Sequence, residues 1–259
     1  MNLAAYAAVA AVVAALSWRG RLLTGRGALA AFTVGVLALL AAGWWGGLAL
    51  VSFFLPASLV SRLTIPPEQG LDPKGNTRGA AQVWANGLPP ALGSTLLCLA
   101  GQDAAAWCAL VGGLAAASAD TWATSIGSRS RETPRQLPRL RRVPRGASGG
   151  VTLTGTLGAA AGAAVVALAA VLRGPAGLAA AAIMIGLGGM LLDSLLGATV
   201  QGRFLCPACG QPSEWRRHRC GTETIPQGGI AWISNDVVNA LATVAATAAG
   251  AAWWWLSRA

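Results

Sequence analysis

Acidic side chains are scarce in this sequence: nine Asp and Glu stand against nineteen Lys and Arg among 259 residues. Charged residues of both signs make up 11% of the chain. A soluble domain carries roughly 25%, so this chain lacks the charge to clothe a water-facing surface. Histidine is nearly missing, with His218 alone, which excludes chemistry built on several imidazoles. Basic residues are absent from the middles of the apolar stretches, so lysine or arginine on the same helices cannot neutralise an acid buried there. No basic stripe with interleaved aromatics appears, which argues against nucleic acid as a partner despite a net charge of +10. No internal repeat emerges, so an inverted-repeat transporter has no support from pattern. Residues 1–16 lack both a basic residue and a small-residue cleavage site, and they read as a retained helix.

What is present is apolar. Hydrophobic residues make up 54% of the chain and mean hydropathy is +0.56. Gly and Ala dominate the hydrophobic runs, as expected where helices pack closely in lipid. The expected fold is all-α: one polytopic transmembrane bundle over 1–259. Its helices fall near 2–17, 28–43, 46–63, 80–101, 105–126, 150–172, 177–201 and 230–256. The segment 28–63 gives two helices if it breaks at Gly43-Trp44-Trp45-Gly46-Gly47, and one if it does not. Eight helices put the loops 18–27, 62–79, 127–149 and 202–229 on one face. Those loops hold every basic residue except Arg173 and Arg258. Seven helices would move Arg19, Arg21 and Arg26 to the other face. The positive-inside rule therefore favours eight, in the cell (inner) membrane, with both termini outside and the working surface cytoplasmic.

Three carboxylates lie inside these apolar segments: Asp120, Asp193 and Asp236. Each costs roughly 2.5–3.5 kcal/mol near a helix centre. Counted from the cytoplasmic helix ends, they and Asn86 fall in one layer, roughly 9–12 Å deep at 1.5 Å per residue. Gln82 with Asn86, and Asn235 with Asn239, share helix faces at i,i+4. The layer is expected to line one cavity holding Mg²⁺, a hard ion suited to oxygen ligands and retained water. Helix N-termini on the same side favour phosphate. Two Gly-rich entries carry basic residues there: Lys74 to Gly79, including Arg78, and Pro144 to Thr152, including Arg145, Ser148, Gly149 and Gly150. The loop 202–229 supplies Cys206, Cys209, His218 and Cys220, a C-x-x-C followed by H-x-C, which are four zinc ligands of the usual types. A structural Zn²⁺ would order a loop that has almost no core.

Five motifs follow in order: Arg78-Gly79-Ala80-Ala81-Gln82-Val83-Trp84-Ala85-Asn86-Gly87, Ala119-Asp120-Thr121-Trp122-Ala123-Thr124, Gly146 to Thr152, Asp193-Ser194-Leu195-Leu196-Gly197-Ala198, and Asn235-Asp236-Val237-Val238-Asn239. Together they resemble an integral-membrane family of largely unknown function that includes the plant phytyl-phosphate kinase of tocopherol synthesis. That family is distantly similar to phytol and dolichol kinases and to CTP-dependent phosphatidate cytidylyltransferases. The resemblance implies an enzyme that phosphorylates a prenyl monophosphate lipid to the diphosphate, with CTP or another nucleoside triphosphate as donor. Asp120, Asp193 and Asp236 would hold Mg²⁺. Lys74, Arg78, Gln82, Arg145, Ser148, Gly149, Gly150 and Thr152 would cradle phosphates, with Asn86 and Asn239 orienting them. The family usually carries Glu where this chain has Ser125, so a weakened activity is one expectation. The alternatives are a transporter or flippase for prenyl phosphates and a non-catalytic membrane scaffold.

Overall fold

Eight α-helices carry the chain in the computed structural model, which describes residues 2–63, 77–218 and 220–258. They are α1 (Leu3–Arg19), α2 (Gly25–Ala42), α3 (Trp44–Leu63), α4 (Ala80–Leu99), α5 (Asp103–Gly127), α6 (Leu153–Arg173), α7 (Leu178–Thr199) and α8 (Asn235–Leu256). The split between α2 and α3 falls at Gly43, whose φ of +60° suits the glycine that ends α2. Six helices (α2, α3, α5, α6, α7 and α8) are long and apolar enough to cross a bilayer. The chain is a multi-pass membrane protein. Helix α1 is a shorter apolar helix, and α4 carries Gln82, Asn86, Pro89 and Pro90 within its span.

Helix α5 is the axis of the bundle. It packs against α3, α4, α6, α7 and α8, and every side chain from Ala105 to Ala119 is buried. Small residues make this burial feasible, because they let backbones approach. At Gly250 of α8 a Cβ would stand 2.3 Å from the Cys108 carbonyl, so only glycine fits that crossing. Helix α4 is tied to α8 by a different device. Pro89 has no N–H to give the carbonyl four residues back, at Ala85. The Thr243 hydroxyl of α8 donates to that carbonyl at 2.8 Å instead.

The two ends of the bundle differ. At one end the connections are long and rich in arginine, and they bind one another. Arg78 bridges Leu23, Arg62 donates to the Gly20 carbonyl at 2.7 Å, and Arg129 donates to the Leu63 carbonyl at 2.6 Å. Two small antiparallel sheets sit there. One has the order β2-β1-β3, from β1 (Arg135–Gln136), β2 (Arg141–Arg142) and β3 (Gly150–Val151). The other has the order β5-β4-β6, from β4 (Arg203–Leu205), β5 (Pro212–Ser213) and β6 (Ile225–Gly228). The opposite end is short and aromatic. Tyr6 meets Trp44 edge-on, and Arg173 lies over the Trp107 ring while donating to the Ala42 carbonyl.

Two boundaries next to the long loops differ from expectation. Helix α8 begins at Asn235 and not near 230, capped by the Ser234 hydroxyl, which accepts from Val237 N. The apolar run before it is a turn pinned to the end of α7, with Gly202 N donating to Ile233 O at 2.9 Å. Helix α6 begins at Leu153, because Gly150–Val151 pairs with β1 as a strand.

Candidate functional site

At the arginine-rich end, α5, α6, α7 and the loop before α6 enclose a cavity of about 180 Å³. Asp120 of α5 and Asp193 of α7 line it, facing Arg145, Ser148, Gly149, Gly150 and Thr152. Both aspartates also line a second space of about 10 Å³, with Asn86 of α4 and Asn239 of α8. That is room for about one water or one small ion. Asp120, Asp193 and Asn86 lie roughly 9–11 Å from their helix ends at 1.5 Å per residue, so three helices bring polar side chains to one depth. In the orientation that satisfies its hydrogen bonds, the Asn239 amide nitrogen donates to Asp193 Oδ2 at 2.6 Å and to the Asn235 carbonyl at 3.2 Å. Asn239 thereby fixes the Asp193 carboxylate.

Asp236 is not brought in with them. Because α8 starts late, Asp236 sits in its first turn, where a carboxylate complements the helix dipole, and it lines neither space. Of the three expected aspartates, these two spaces bring together Asp120 and Asp193. Among the described residues, the one cluster of three or more Cys, His, Asp or Glu close enough to share an ion is the cysteine-histidine loop. Ser125 also points elsewhere: its hydroxyl lies 3.2 Å from that of Ser61 on α3. Lys74 lies outside the described residues. Arg78 and Gln82 line a different, apolar cavity among α1 to α4.

The N-terminus of α6 does not offer its N–H groups to phosphate, contrary to expectation. Glu132 takes Leu153 N at 2.8 Å and Thr154 N at 3.1 Å, together with the Thr154 hydroxyl. The Thr152 hydroxyl accepts from Gly155 N. The Thr154 hydroxyl and then the Leu153 amide hold the Glu132 carboxyl below its ordinary range. What faces the cavity is the loop itself, held close to α7. Gly149 has φ +74°, and a Cβ there would lie 2.3 Å from the Ser194 carbonyl.

Glu214 escaped the sequence reading. It lines the cavity from the loop after α7, and the Ser148 hydroxyl donates to its Oε1 at 2.7 Å. Gln201 donates to the same hydroxyl at 3.2 Å. No local pattern marks Glu214, because it lies 66 residues from Ser148 in the chain.

The same loop gathers Cys206, Cys209, His218 and Cys220, with all four ligand atoms within 4.8 Å of one another. Cys206 Sγ lies 3.5 Å and His218 Nδ1 3.1 Å from Cys220 Sγ. Thiolates of a tetrahedral zinc stand about 3.8 Å apart, so this set fits a metal such as zinc. Contacts with Thr222 and then His218 pull the Cys220 thiol down to about 5, while Cys220 and Cys206 push the Cys209 thiol up to about 11. Glu214 lies between the second and third ligands, which couples the loop to the cavity wall.

Comparison with known sequences places this geometry in a family. The profile of the integral membrane protein family DUF92 matches residues 8–247. The chain belongs to that family, which is the integral-membrane family that the five motifs indicate. It is 30% identical over 194 residues to an uncharacterized membrane protein, MJ0933, of Methanocaldococcus jannaschii, covering 73% of this chain and 79% of that one. It is 27% identical over 270 aligned residues to Protein PGR of Arabidopsis thaliana, covering 92% and 93%. A Synechocystis membrane protein, sll0875, is 27% identical over 240 residues, covering 86% and 79%. No solved structure matches.

Proposed function

We propose that this member of the family is a membrane-embedded phosphotransferase. It transfers a phosphoryl group from a nucleoside triphosphate, CTP by family resemblance, to a prenyl monophosphate such as phytyl or geranylgeranyl phosphate. An oxygen of the lipid phosphate forms the new P–O–P bond, and the nucleoside diphosphate leaves. The acceptor is already anionic, so the reaction needs positioning and charge neutralisation more than a general base.

The observation that carries this reading is the meeting of Asp120 and Asp193 on one polar cavity, opposite Arg145 and the loop of Gly149 and Gly150. Two carboxylates from separate helices fit a Mg²⁺ that completes its shell with water and phosphate oxygens. When bound, that ion would neutralise the donor phosphates. Asn239 holds Asp193 in place, Ser148 is aimed by Glu214 and Gln201, and Arg145 supplies positive charge at the cavity. The arginine-rich end faces the cytoplasm in this reading, where nucleotides are, and both termini lie on the other side. The substrate class comes from the family resemblance.

The test is incubation of purified protein with labelled CTP, Mg²⁺ and phytyl or geranylgeranyl monophosphate. Labelled diphosphate from the wild type and none from folded Asp193→Asn is the expected result. Equal product from the two would end the assignment. Flux of lipid phosphate across vesicles without any product would favour transport.

A further inference from the structure

The cavity of about 280 Å³ among α1, α2, α3 and α4 has no part in the chemistry described above. Its walls are Val9, Val13, Ala31, Leu39, Val51 and similar side chains, and along α3 it runs from Trp44 to Phe54, about 15 Å at 1.5 Å per residue. It is therefore long and narrow, and it lies along the helix axes. One end is different. There Arg78 is only 6% exposed, and its Nη2 has no hydrogen-bond partner among the described residues. Phe53 and Phe54 hold the guanidinium carbon 5.5 and 5.8 Å from their ring centres. Burial pushes the Arg78 pKa down to about 10, which leaves it cationic at neutral pH. A buried guanidinium with an unused donor in an apolar wall is costly unless an anion meets it.

The polar end also leads to the aspartates. Gln82 and Asn86 follow Arg78 along this cavity, one helical turn apart. Asn86 at once lines the small space that holds Asp120 and Asp193. A headgroup at Arg78 would thus lie on a path of polar side chains toward the carboxylates, while its tail lay in the apolar part.

We propose that this cavity seats a single-chain isoprenoid monophosphate, with the hydrocarbon between α1 and α4 and the phosphate on Arg78. This deepens the phosphotransferase reading and rests on it for the identity of the lipid. The seat itself is a binding claim, separate from catalysis. It commits to a monoester phosphate on one chain, and inorganic phosphate, an unphosphorylated prenol and two-chain phosphatidate are the contrasting probes.

The experiment measures binding of geranylgeranyl monophosphate to the full chain in detergent, by native mass spectrometry or calorimetry, without nucleotide. Wild type should hold the monophosphate more tightly than geranylgeraniol or phosphatidate, and should not retain inorganic phosphate. Arg78→Gln should weaken the monophosphate about tenfold or more while leaving geranylgeraniol nearly unchanged, as expected for loss of a charge-assisted hydrogen bond. Ala31→Phe, which narrows the tail region, should weaken both. Folded Arg78→Gln or Ala31→Phe with wild-type affinity for the monophosphate would overturn the seat, as would equal binding of phosphatidate. If Arg78→Gln does not fold, Ala31→Phe decides. A wild type that binds the lipid yet makes no diphosphate defeats the catalytic reading and leaves the seat standing; turnover with unaltered binding in both variants does the reverse.

Discussion

The cavity among α1 to α4 and the cavity among α5 to α7 belong to one bundle and are separated by a space with room for about one water, yet their electrical demands are opposite. The first is a hydrocarbon sleeve with one buried cation at its mouth. The second is a polar chamber with carboxylates on its floor and arginine, hydroxyls and backbone on its roof. A lone guanidinium in the sleeve calls for an anion, and paired carboxylates in the chamber call for a cation. The difference teaches that the two halves bury opposite charges: a guanidinium in the apolar one and carboxylates in the polar one.

The comparison can be broken most forcefully at Asp193. Asp193→Asn should reduce turnover at least about a hundredfold, in line with losing one group that stabilises developing charge, while affinity for the lipid monophosphate stays within about twofold of wild type. Loss of both together would mean that the two cavities are one site. Next comes Cys206→Ser, or treatment with a chelator. The wild type should carry about one zinc per chain by elemental analysis, and the variant should lose it. Hydrogen exchange should then rise across 203–228. Because Glu214 links that loop to Ser148, turnover should fall about tenfold or more, with lipid binding spared.

Gly149→Ala sharpens the same division from the roof of the chamber. Its positive φ and its approach to Ser194 should cost about 1–3 kcal/mol, read as a lowered melting temperature. Thr243→Val tests the seam between the halves. Removing the hydroxyl that serves the Ala85 carbonyl should cost about 1–2 kcal/mol in chemical unfolding. The smallest effect belongs to Glu132→Gln, which touches neither cavity. The Glu132 carboxyl is held below its ordinary range, so its stabilisation is present above the unfolded pKa and disappears as pH falls through the lower folded one. The variant should melt slightly below wild type at neutral pH, and the gap should close in acid.

Much of the fold was legible because apolar runs long enough to span lipid have few other uses. The eight helices follow them, and the basic loops mark one end. Asp120, Asp193 and Asn86 were legible for the same reason, since polar groups inside such runs stand out. The errors came where hydrophobicity and helicity part. Ile230 to Ile233 looks like the start of a span, but Gly229 at φ +69° and the hydrogen bonds to Val200 and Gly202 make it a turn. Ser234, a good N-cap, was the available signal for the true start, and reading it would have moved Asp236 out of the layer. Glu132 and Glu214 were not legible, because each acts across a gap in sequence that only the folded loops close. Ser125 stands next to the motif, but its hydroxyl faces Ser61 of α3 and not the cavity.

Pro89 closes the account of the two halves. Its ring silences one amide in the middle of α4, and the Ala85 carbonyl stranded by that silence, next to Asn86, becomes a mooring point for Thr243 of the final helix, four residues beyond Asn239. The first four helices and the last four are thus fastened beside Asn86, which borders both the apolar sleeve and the small space next to the carboxylates. A residue known for interrupting helices here leaves free the carbonyl by which the two halves are joined.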